Sequence, residues 1–300
     1  MKTMKKQIEF LGASGNRLVA DEHEPRGEVH GNPVLLLHGG GQTRHAWGGA
    51  ARRIADAGHK AFTLDQRGHG DSAWVGDKGY AFDDYAADAV MVCRQIEAQT
   101  GRPAVLVGAS LGGISGLMAA HIGGPGLLAG LVLVDITPHM DAEGVSRIQG
   151  FMAERMREGF ATLEEAAAAI AAYLPNRAPR RSLDGLAKNL RKGDDGRYRW
   201  HWDPAFIDGP RNINHGWETG QQRLIEAARG LKIPVLLVRG QQSELVTAEA
   251  VEAFREMVPH ADFVDVSGAG HMVAGDRNDA FNDAVSGFLD KLEGRERRTL

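Results

Sequence analysis

Residues 104–113 read AVLVGASLGG, which combines a strand-like apolar run with a glycine-rich turn. The apolar run AVLV leads into Gly108-Ala109-Ser110-Leu111-Gly112, which fits the pattern G-x-S-x-G, and the residues that follow have helical spacing. A serine on so sharp a strand-to-helix turn has strained backbone dihedrals, and glycines two positions away on either side avoid a collision. The helix also directs its positive N-terminal dipole and free N–H groups at the serine. The pattern predicts that Ser110 is a nucleophile.

Similar apolar runs recur along the chain and alternate with helical segments. They are unbroken, which is typical of parallel strands buried on both faces. The runs are Pro33–Leu37, Lys60–Leu64, Ala104–Val107, Leu131–Val134, Pro234–Val238 and Asp262–Val266. The predicted helices cover about residues 46–57, 83–99, 111–122, 247–257 and 276–292. This alternation predicts an α/β fold with a doubly wound, mostly parallel sheet, preceded by a hairpin over residues 8–21.

One long stretch interrupts the alternation. Between Asp135 and Lys232 no strong strand is predicted, and residues 144–160 and 162–173 have helical spacing. Open α/β sheets bind ligands at the carboxyl ends of their strands, which is where this stretch begins. We therefore expect a helical lid rather than a separate helical domain. The predicted division is a core of residues 1–136 and 232–300 with a lid of residues 137–231.

Composition and charge exclude several classes of protein. The 300 residues are 43% hydrophobic and 25% charged, as in ordinary globular proteins. The net charge of -4 and the pI near 6.3 do not indicate the basic surface of a nucleic-acid-binding protein. The single cysteine, Cys93, cannot form an intrachain disulfide, and no apolar run is long enough to span a membrane. With no secretory signal in MKTMKKQIEF, we expect a cytoplasmic protein, either a monomer or a homodimer.

A glycine-rich segment, His38-Gly39-Gly40-Gly41, directly follows the first buried strand. Acyl transfer needs two backbone N–H donors aimed at the negative charge that develops on the carbonyl oxygen. We expect Leu111 to supply one donor and Gly40 the other, with Gly41 as the alternative to Gly40. Glycines at this place let the backbone approach a substrate closely. A nucleotide site is not indicated, because neither GxGxxG nor GxxxxGK[ST] occurs.

The nucleophile needs a general base, and a histidine is expected after it in the chain. The histidines that follow Ser110 are His121, His139, His201, His215, His260 and His271. Among them, His271 alone lies on a loop at the carboxyl end of a late predicted strand. We therefore predict that His271 is the base.

The base in turn needs a carboxylate that holds its tautomer and stabilises the imidazolium. The strand that ends at Gly240 is followed by Gln241-Gln242-Ser243-Glu244, in which Glu244 is the only carboxylate. Asp135, at the end of the preceding strand, is the alternative. We predict Glu244 as the acid, set slightly further back than an aspartate because its side chain is one methylene longer.

Two tryptophans of the lid allow two interpretations. Trp200 and Trp202 lie in the aromatic segment Tyr198–Trp202. They would either line a pocket for the acyl or alcohol part of a substrate or pack the lid onto the core. The two interpretations have equal support, so substrate binding by Trp200 and Trp202 is a hypothesis.

Four motifs resemble those of the α/β-hydrolase superfamily: HGGG at 38–41, DQRGHGDS at 65–72, GASLGG at 108–113 and GAGH at 268–271. The likeness is to the lid-bearing branch of epoxide-hydrolase-like, perhydrolase-like and carbon–carbon-bond hydrolases. It covers about residues 8–136 and 232–292 and implies the α/β-hydrolase fold, a catalytic triad and no cofactor, but not a substrate. No metal site is expected either, because HExxH, HxxEH and Cys/His clusters are missing from the sequence. Asp65, Arg67 and Asp71 are expected to form a structural network.

The identity of the residue at the strand-to-helix turn, Ser110, limits the reactions that this resemblance implies. Epoxide and haloalkane hydrolases of the branch have an aspartate nucleophile where this chain has Ser110. A carboxylate forms an alkyl-enzyme ester, whereas a serine forms an acyl-enzyme, so epoxide hydrolysis is disfavoured. We predict a serine carboxylesterase for small-molecule esters of small to medium size. The alternatives are a lactonase or carbon–carbon-bond hydrolase with the same triad, and a non-catalytic ligand-binding protein of this fold.

Overall fold

The protein consists of a central sheet, two layers of helices and a segment that covers one edge of the sheet. The computed structural model describes residues 4–173, 183–271, 273 and 278–294. The strands are β1 Lys5–Leu11, β2 Arg17–His23, β3 Val34–Leu37, β4 Ala61–Leu64, β5 Ala104–Ala109, β6 Leu128–Val134, β7 Leu190–Lys192, β8 Tyr198–Trp200, β9 Val235–Gly240 and β10 Asp262–Val266. The α-helices are α1 Gly48–Asp56, α2 Phe82–Thr100, α3 Leu111–Gly123, α4 Ala142–Ala153, α5 Leu163–Tyr173, α6 Asp184–Ala187, α7 Ala205–Asp208, α8 Trp217–Arg229, α9 Ala248–Met257 and α10 Asn278–Leu292. In these ranges, no helix is long and apolar enough to cross a lipid bilayer.

The central sheet has the order β1-β2-β4-β3-β5-β6-β9-β10 among the described residues. Strands β1 and β2 form an antiparallel hairpin, and β2 is also antiparallel to its other neighbour, β4. From β4 to β10 the neighbouring strands are parallel, and helices make the connections between them. The predicted α/β fold with a doubly wound, mostly parallel sheet is confirmed.

The parallel strands β3, β4, β5, β6 and β9 are largely buried on both faces, as their unbroken apolar sequences predict. The last strand in the sheet order, β10, is mostly only partly buried, so the prediction of a strand buried on both faces is wrong for Asp262–Val266. Successive residues of a strand point to opposite faces. Val34 and Leu36 of β3 therefore pack toward α1 and α10, and Leu35 and Leu37 pack toward α2, α3, α8 and α9. Each face of the sheet has its own helical layer, which is the reason that the inner parallel strands lack an alternation of apolar and polar residues.

All the loops that matter for the site lie at one edge of the sheet. Because β3, β5, β6, β9 and β10 are parallel, their carboxyl ends share that edge, and the chain leaves it from five neighbouring points. These points lead directly into Gly39, Ser110, Asp135, Ser243 and His271. Side chains far apart in the sequence are thereby brought together.

The segment between β6 and β9 covers this edge. Residues 137–173 and 183–216, which we call the lid, have a small core of their own around Phe160 and Leu186. The lid is joined to the loop after β4 by backbone hydrogen bonds from Gly70 N to His201 O at 2.7 Å and from Asp203 N to Gly68 O at 2.8 Å.

The covering segment ends earlier than the predicted residue 231. Leu224 and Ala228 of α8 are buried in the main core, and α8 packs against α3. The helix therefore belongs to the layer on the sheet. Its amphipathic pattern is the same as that of a lid helix, so the sequence does not reveal which surface its apolar side covers.

Candidate active site

Ser110 occupies the sharp turn between β5 and α3. Its φ of 48° and ψ of −115° lie outside the regions that residues with a side chain prefer. A methyl group added to Gly108 would collide with the carbonyl of Gly112, and one added to Gly112 would collide with the carbonyl of Leu37. Both glycines are therefore required by close backbone contacts. The first N–H groups of α3, including that of Leu111, have no acceptor within the helix.

Asp135, directly after β6, provides the carboxylate that contacts His271. The residue is completely buried and has a φ of 53°, a backbone conformation that aspartate adopts more readily than most residues. Its Oδ2 lies 2.7 Å from Nδ1 of His271 and 2.5 Å from the hydroxyl of Ser243. Its Oδ1 accepts a hydrogen bond from the N–H of Gly240 at 3.0 Å.

This contact sets the tautomer of His271. An ionised carboxylate can only accept, so Nδ1 carries the hydrogen that is donated to Asp135. The opposite ring nitrogen, Nε2, is then unprotonated and can take a proton from a hydroxyl group. His271 and Ser110 line the same cavity, so the arrangement has the chemical elements of an activated serine.

Glu244 does not contact His271, and the structure contradicts the prediction that it is the partner of this histidine. Its carboxylate pairs with Arg147 of α4 and accepts a hydrogen bond from the hydroxyl of Tyr173 at 3.3 Å. Because β6 and β9 are neighbours, the loops after both strands lie beside His271. Asp135, the alternative, makes the contact, and the loop after β9 turns Ser243 rather than Glu244 toward it.

Ser243 is a site residue that sequence reasoning missed. Besides donating to Asp135, its oxygen accepts hydrogen bonds from the N–H groups of Leu245 and Val246 at 3.1 and 3.2 Å. These two donors hold the hydroxyl oxygen, so its hydrogen is directed at the carboxylate. No feature of the sequence marks this serine, since its role depends entirely on the position of β6 beside β9.

The glycine loop after β3 lies beside Ser110. A methyl group on Gly39 would lie 3.5 Å from Cβ of Ser110. The N–H of Gly41 donates to Nε2 of His69 at 3.1 Å and is therefore occupied. Of the two donors predicted in this loop, the contact favours Gly40 over Gly41.

Two buried histidines support this loop, and neither was identified from the sequence. Nδ1 of His38 is 2.8 Å from the carbonyl oxygen of Gly39, and its Nε2 accepts from the N–H of Gln66 at 3.1 Å. Burial is the main cause that lowers the pKa of His38 to about 4 and the pKa of His69 to about 3. Both rings are therefore neutral at physiological pH.

A cavity of about 990 Å³ opens above Ser110 and His271, between the core and the lid. Its wall on the lid side is mostly apolar and includes Ile148, Phe151, Met152, Trp200, Trp202 and Phe206. Trp202 is buried and packs edge-on against Phe206, with ring centroids 5.9 Å apart, and Trp200 packs against Phe160 at 5.3 Å. Both tryptophans thus line the cavity and also pack within the lid.

The charged residues of the second sequence motif lie outside the cavity. Arg67 binds Asp88 through Nε at 2.7 Å and Nη2 at 2.6 Å. Asp65 is completely buried and pairs with Arg44. The partly exposed Asp71 pairs with the same arginine. These contacts agree with the structural role expected for Asp65, Arg67 and Asp71. Within the ranges that the structure describes, no three His, Cys, Asp or Glu side chains are grouped as ligands of a metal ion.

Sequence comparison relates the chain to curated hydrolases. It is 31% identical over 265 residues to the esterase Rv0045c of Mycobacterium tuberculosis, covering 86% of this chain and 82% of that protein. It is 29% identical over 264 residues to the 2-(acetamidomethylene)succinate hydrolase of Mesorhizobium japonicum, covering 86% of this chain and 87% of that protein.

Structural comparison agrees. The crystal structure of E-2-(acetamidomethylene)succinate hydrolase superposes with a TM-score of 0.78 at 26% identity, covering 96% of this chain and 100% of the other. A structure of the M. tuberculosis esterase Rv0045c superposes with a TM-score of 0.73 at 26% identity, covering 97% and 93% of the two chains. The family model for the alpha/beta hydrolase fold matches residues 32–277. These residues include both Ser110 and His271, and the chain belongs to the α/β-hydrolase fold family.

Proposed function

We propose that this protein is a serine hydrolase that cleaves carboxylic esters of small to medium size through an acyl-enzyme. The observation that carries the proposal is the convergence of groups at one cavity: Ser110 on its strained turn, and His271 bound to the buried carboxylate of Asp135. This is the set of nucleophile, base and orienting acid that serine hydrolases use on several unrelated folds.

The mechanism follows from these positions. Oγ of Ser110 attacks the ester carbonyl while Nε2 of His271 takes its proton. The N–H groups of Leu111 and Gly40 bind the oxyanion. Asp135 stays ionised and stabilises the imidazolium, which then protonates the leaving alcohol. His271 next activates a water molecule that hydrolyses the acyl-enzyme.

The cavity supports a substrate with an apolar part. Its volume of about 990 Å³ lies at the upper end of the range of roughly 300–1,000 Å³ that small-molecule pockets occupy. The wall formed by Phe151, Trp200 and Trp202 offers aromatic surface to an acyl or alcohol group. An esterase among the similar proteins also supports ester hydrolysis.

The test is hydrolysis of p-nitrophenyl acetate and p-nitrophenyl butyrate by the wild type and by Ser110→Ala. Loss of the nucleophile should lower kcat by more than about 10³-fold. Ser14→Ala, which changes an exposed serine in the β1–β2 turn, is the matched control and should keep the wild-type rate. Wild-type turnover by Ser110→Ala would refute the proposal.

A second measurement separates catalysis from ligand binding without turnover. A fluorophosphonate probe should label the wild type at Ser110 and should not label Ser110→Ala. The kcat/KM is then measured for an ester, a lactone, a carbon–carbon-bond substrate and 2-(acetamidomethylene)succinate. The last compound is included because one similar hydrolase is named after it. The ester is expected to rank first.

A further inference from the structure

Both ring nitrogens of His69 contact backbone groups, and one of these groups belongs to the glycine loop beside Ser110. The residue lies on the loop after β4 and is completely buried. Its Nε2 accepts the N–H of Gly41 at 3.1 Å, and its Nδ1 lies 3.0 Å from the carbonyl oxygen of Arg67. Because a backbone N–H can only donate, Nε2 must be unprotonated, and Nδ1 carries the hydrogen that binds Arg67.

The ring is held in this one orientation. Burial, with a smaller contribution from the neighbouring His38, lowers the pKa of His69 to about 3, so the neutral tautomer persists. Its plane packs edge-on against Phe206 of the lid, with centroids 4.9 Å apart. The carbonyl that it binds belongs to Arg67, whose guanidinium is itself bound to Asp88 and to the carbonyl of Gly79.

The ring of His69 binds a glycine backbone that is flexible unless a hydrogen bond restrains it. Gly41 has a φ of 75°, and its neighbour Gly40 is also a glycine, so no Cβ restricts the torsions of this turn. A hydrogen bond to the N–H of Gly41 fixes the plane of the peptide that joins Gly40 to Gly41. That peptide is adjacent to the one that carries the N–H of Gly40.

We propose that His69 is a positioning residue for the oxyanion hole: by holding the N–H of Gly41, it orients the N–H of Gly40 toward the carbonyl oxygen of the substrate. The inference rests on the proposed function, because it assigns a role within that reaction. His69 does not touch the substrate. It acts through the glycine loop, and its effect belongs to the transition state, where charge develops on the oxygen.

The test replaces His69 with phenylalanine, which keeps an aromatic ring against Phe206 but has no acceptor for the N–H of Gly41. With p-nitrophenyl butyrate, His69→Phe should lower kcat by about 10- to 100-fold and change KM by less than about threefold. His69→Gln, whose side-chain oxygen can accept a hydrogen bond, should recover part of the lost kcat. If His69→Phe does not fold, His69→Leu makes the same test.

The matched control is His23→Phe. His23 is also a buried histidine, its ring nitrogens have no hydrogen-bond partner in the described structure, and it lies on β2. This variant should keep kcat within about threefold of the wild type. Equal effects of His69→Phe and His23→Phe on kcat would overturn the positioning role.

A second readout does not depend on activity. Amide hydrogen exchange of a peptide that covers residues 38–42 should be faster in His69→Phe than in the wild type and unchanged in His23→Phe. Unchanged exchange in His69→Phe would show that the ring does not hold the loop and would also overturn the inference. If the wild type shows no turnover that Ser110→Ala abolishes, the proposed function is refuted instead. The exchange experiment would still test the contact between His69 and Gly41.

Discussion

Asp135 shows how a single residue acquires its role from its position at the end of a strand. Its side chain is completely buried, where an unpaired charge would be costly. Three hydrogen-bond donors stabilise the carboxylate: Gly240, Ser243 and His271. Its positive φ turns the chain sharply after β6 and directs the carboxylate into this group of donors. Glu244 has the same chemistry but is bound to Arg147 at the lid.

The two carboxylates can be distinguished by parallel substitutions. Asp135→Asn keeps the shape of the side chain but cannot stabilise the imidazolium or hold its tautomer, so kcat should fall on the order of 10³- to 10⁴-fold. Glu244→Gln should lower kcat by less than tenfold, since no contact links it to His271. Both values come from steady-state hydrolysis of p-nitrophenyl butyrate. A larger loss in Glu244→Gln than in Asp135→Asn would contradict this assignment.

The strand-turn-helix element around Ser110 is the part of the site that sequence predicted best. Its requirements are local: an apolar strand, small residues on both sides of the serine and a helix that follows. The structure adds the contacts that impose those requirements, namely the carbonyls of Leu37 and Gly112, which leave no space for side chains at Gly112 and Gly108.

Gly112→Ala tests this element. The added methyl group would collide with the backbone of Leu37 in the neighbouring strand, so the free energy of unfolding should fall by about 1–3 kcal/mol or more. The control is Gly49→Ala in α1, where a methyl group meets no atom within 4 Å. That variant should be up to about 1 kcal/mol more stable, because alanine favours a helix more than glycine does. Urea denaturation measures both, and equal stability of the two variants would refute the argument.

At the scale of the whole molecule, Asp88 joins segments that are distant in the sequence. Its carboxylate on α2 binds the guanidinium of Arg67 and also accepts from Ala13 N at 2.8 Å and from Nδ2 of Asn16 at 3.2 Å. The hairpin turn, the loop that carries His69 and α2 are therefore held by one buried group. Because Arg67 is itself only 1% exposed, loss of the Asp88 carboxylate would leave a buried charge with only the more distant carboxylate of Asp84, at 3.9 Å, as its partner.

Asp88→Asn should therefore lower the free energy of unfolding by about 3–5 kcal/mol. Glu9→Gln, which breaks the exposed pair of Arg17 and Glu9, should change it by less than about 1 kcal/mol. Chemical denaturation at neutral pH compares the two variants with the wild type. A change below 1 kcal/mol in Asp88→Asn would show that the network contributes little to stability.

Features that depend on neighbours along the chain could be predicted from the amino-acid sequence. Strand and helix segments, the parallel sheet, the turn at Ser110 and the loop position of His271 all follow from local patterns of apolar residues and glycines. Each of these patterns can be recognised from a short stretch of sequence, because side chains return to the same face every two positions in a strand and every three to four in a helix.

Contacts between side chains that are distant in the sequence could be identified only from the folded structure. His271 and Asp135 are 136 positions apart, and their contact exists because β6 lies next to β9 and β10 next to β9 in the sheet. The same applies to Ser243, to the contact between His69 and Gly41, and to α8, whose buried apolar side chains pack against α3 in the main core. The physical reason is that burial and hydrogen bonding select partners by distance in space, and strand order sets that distance.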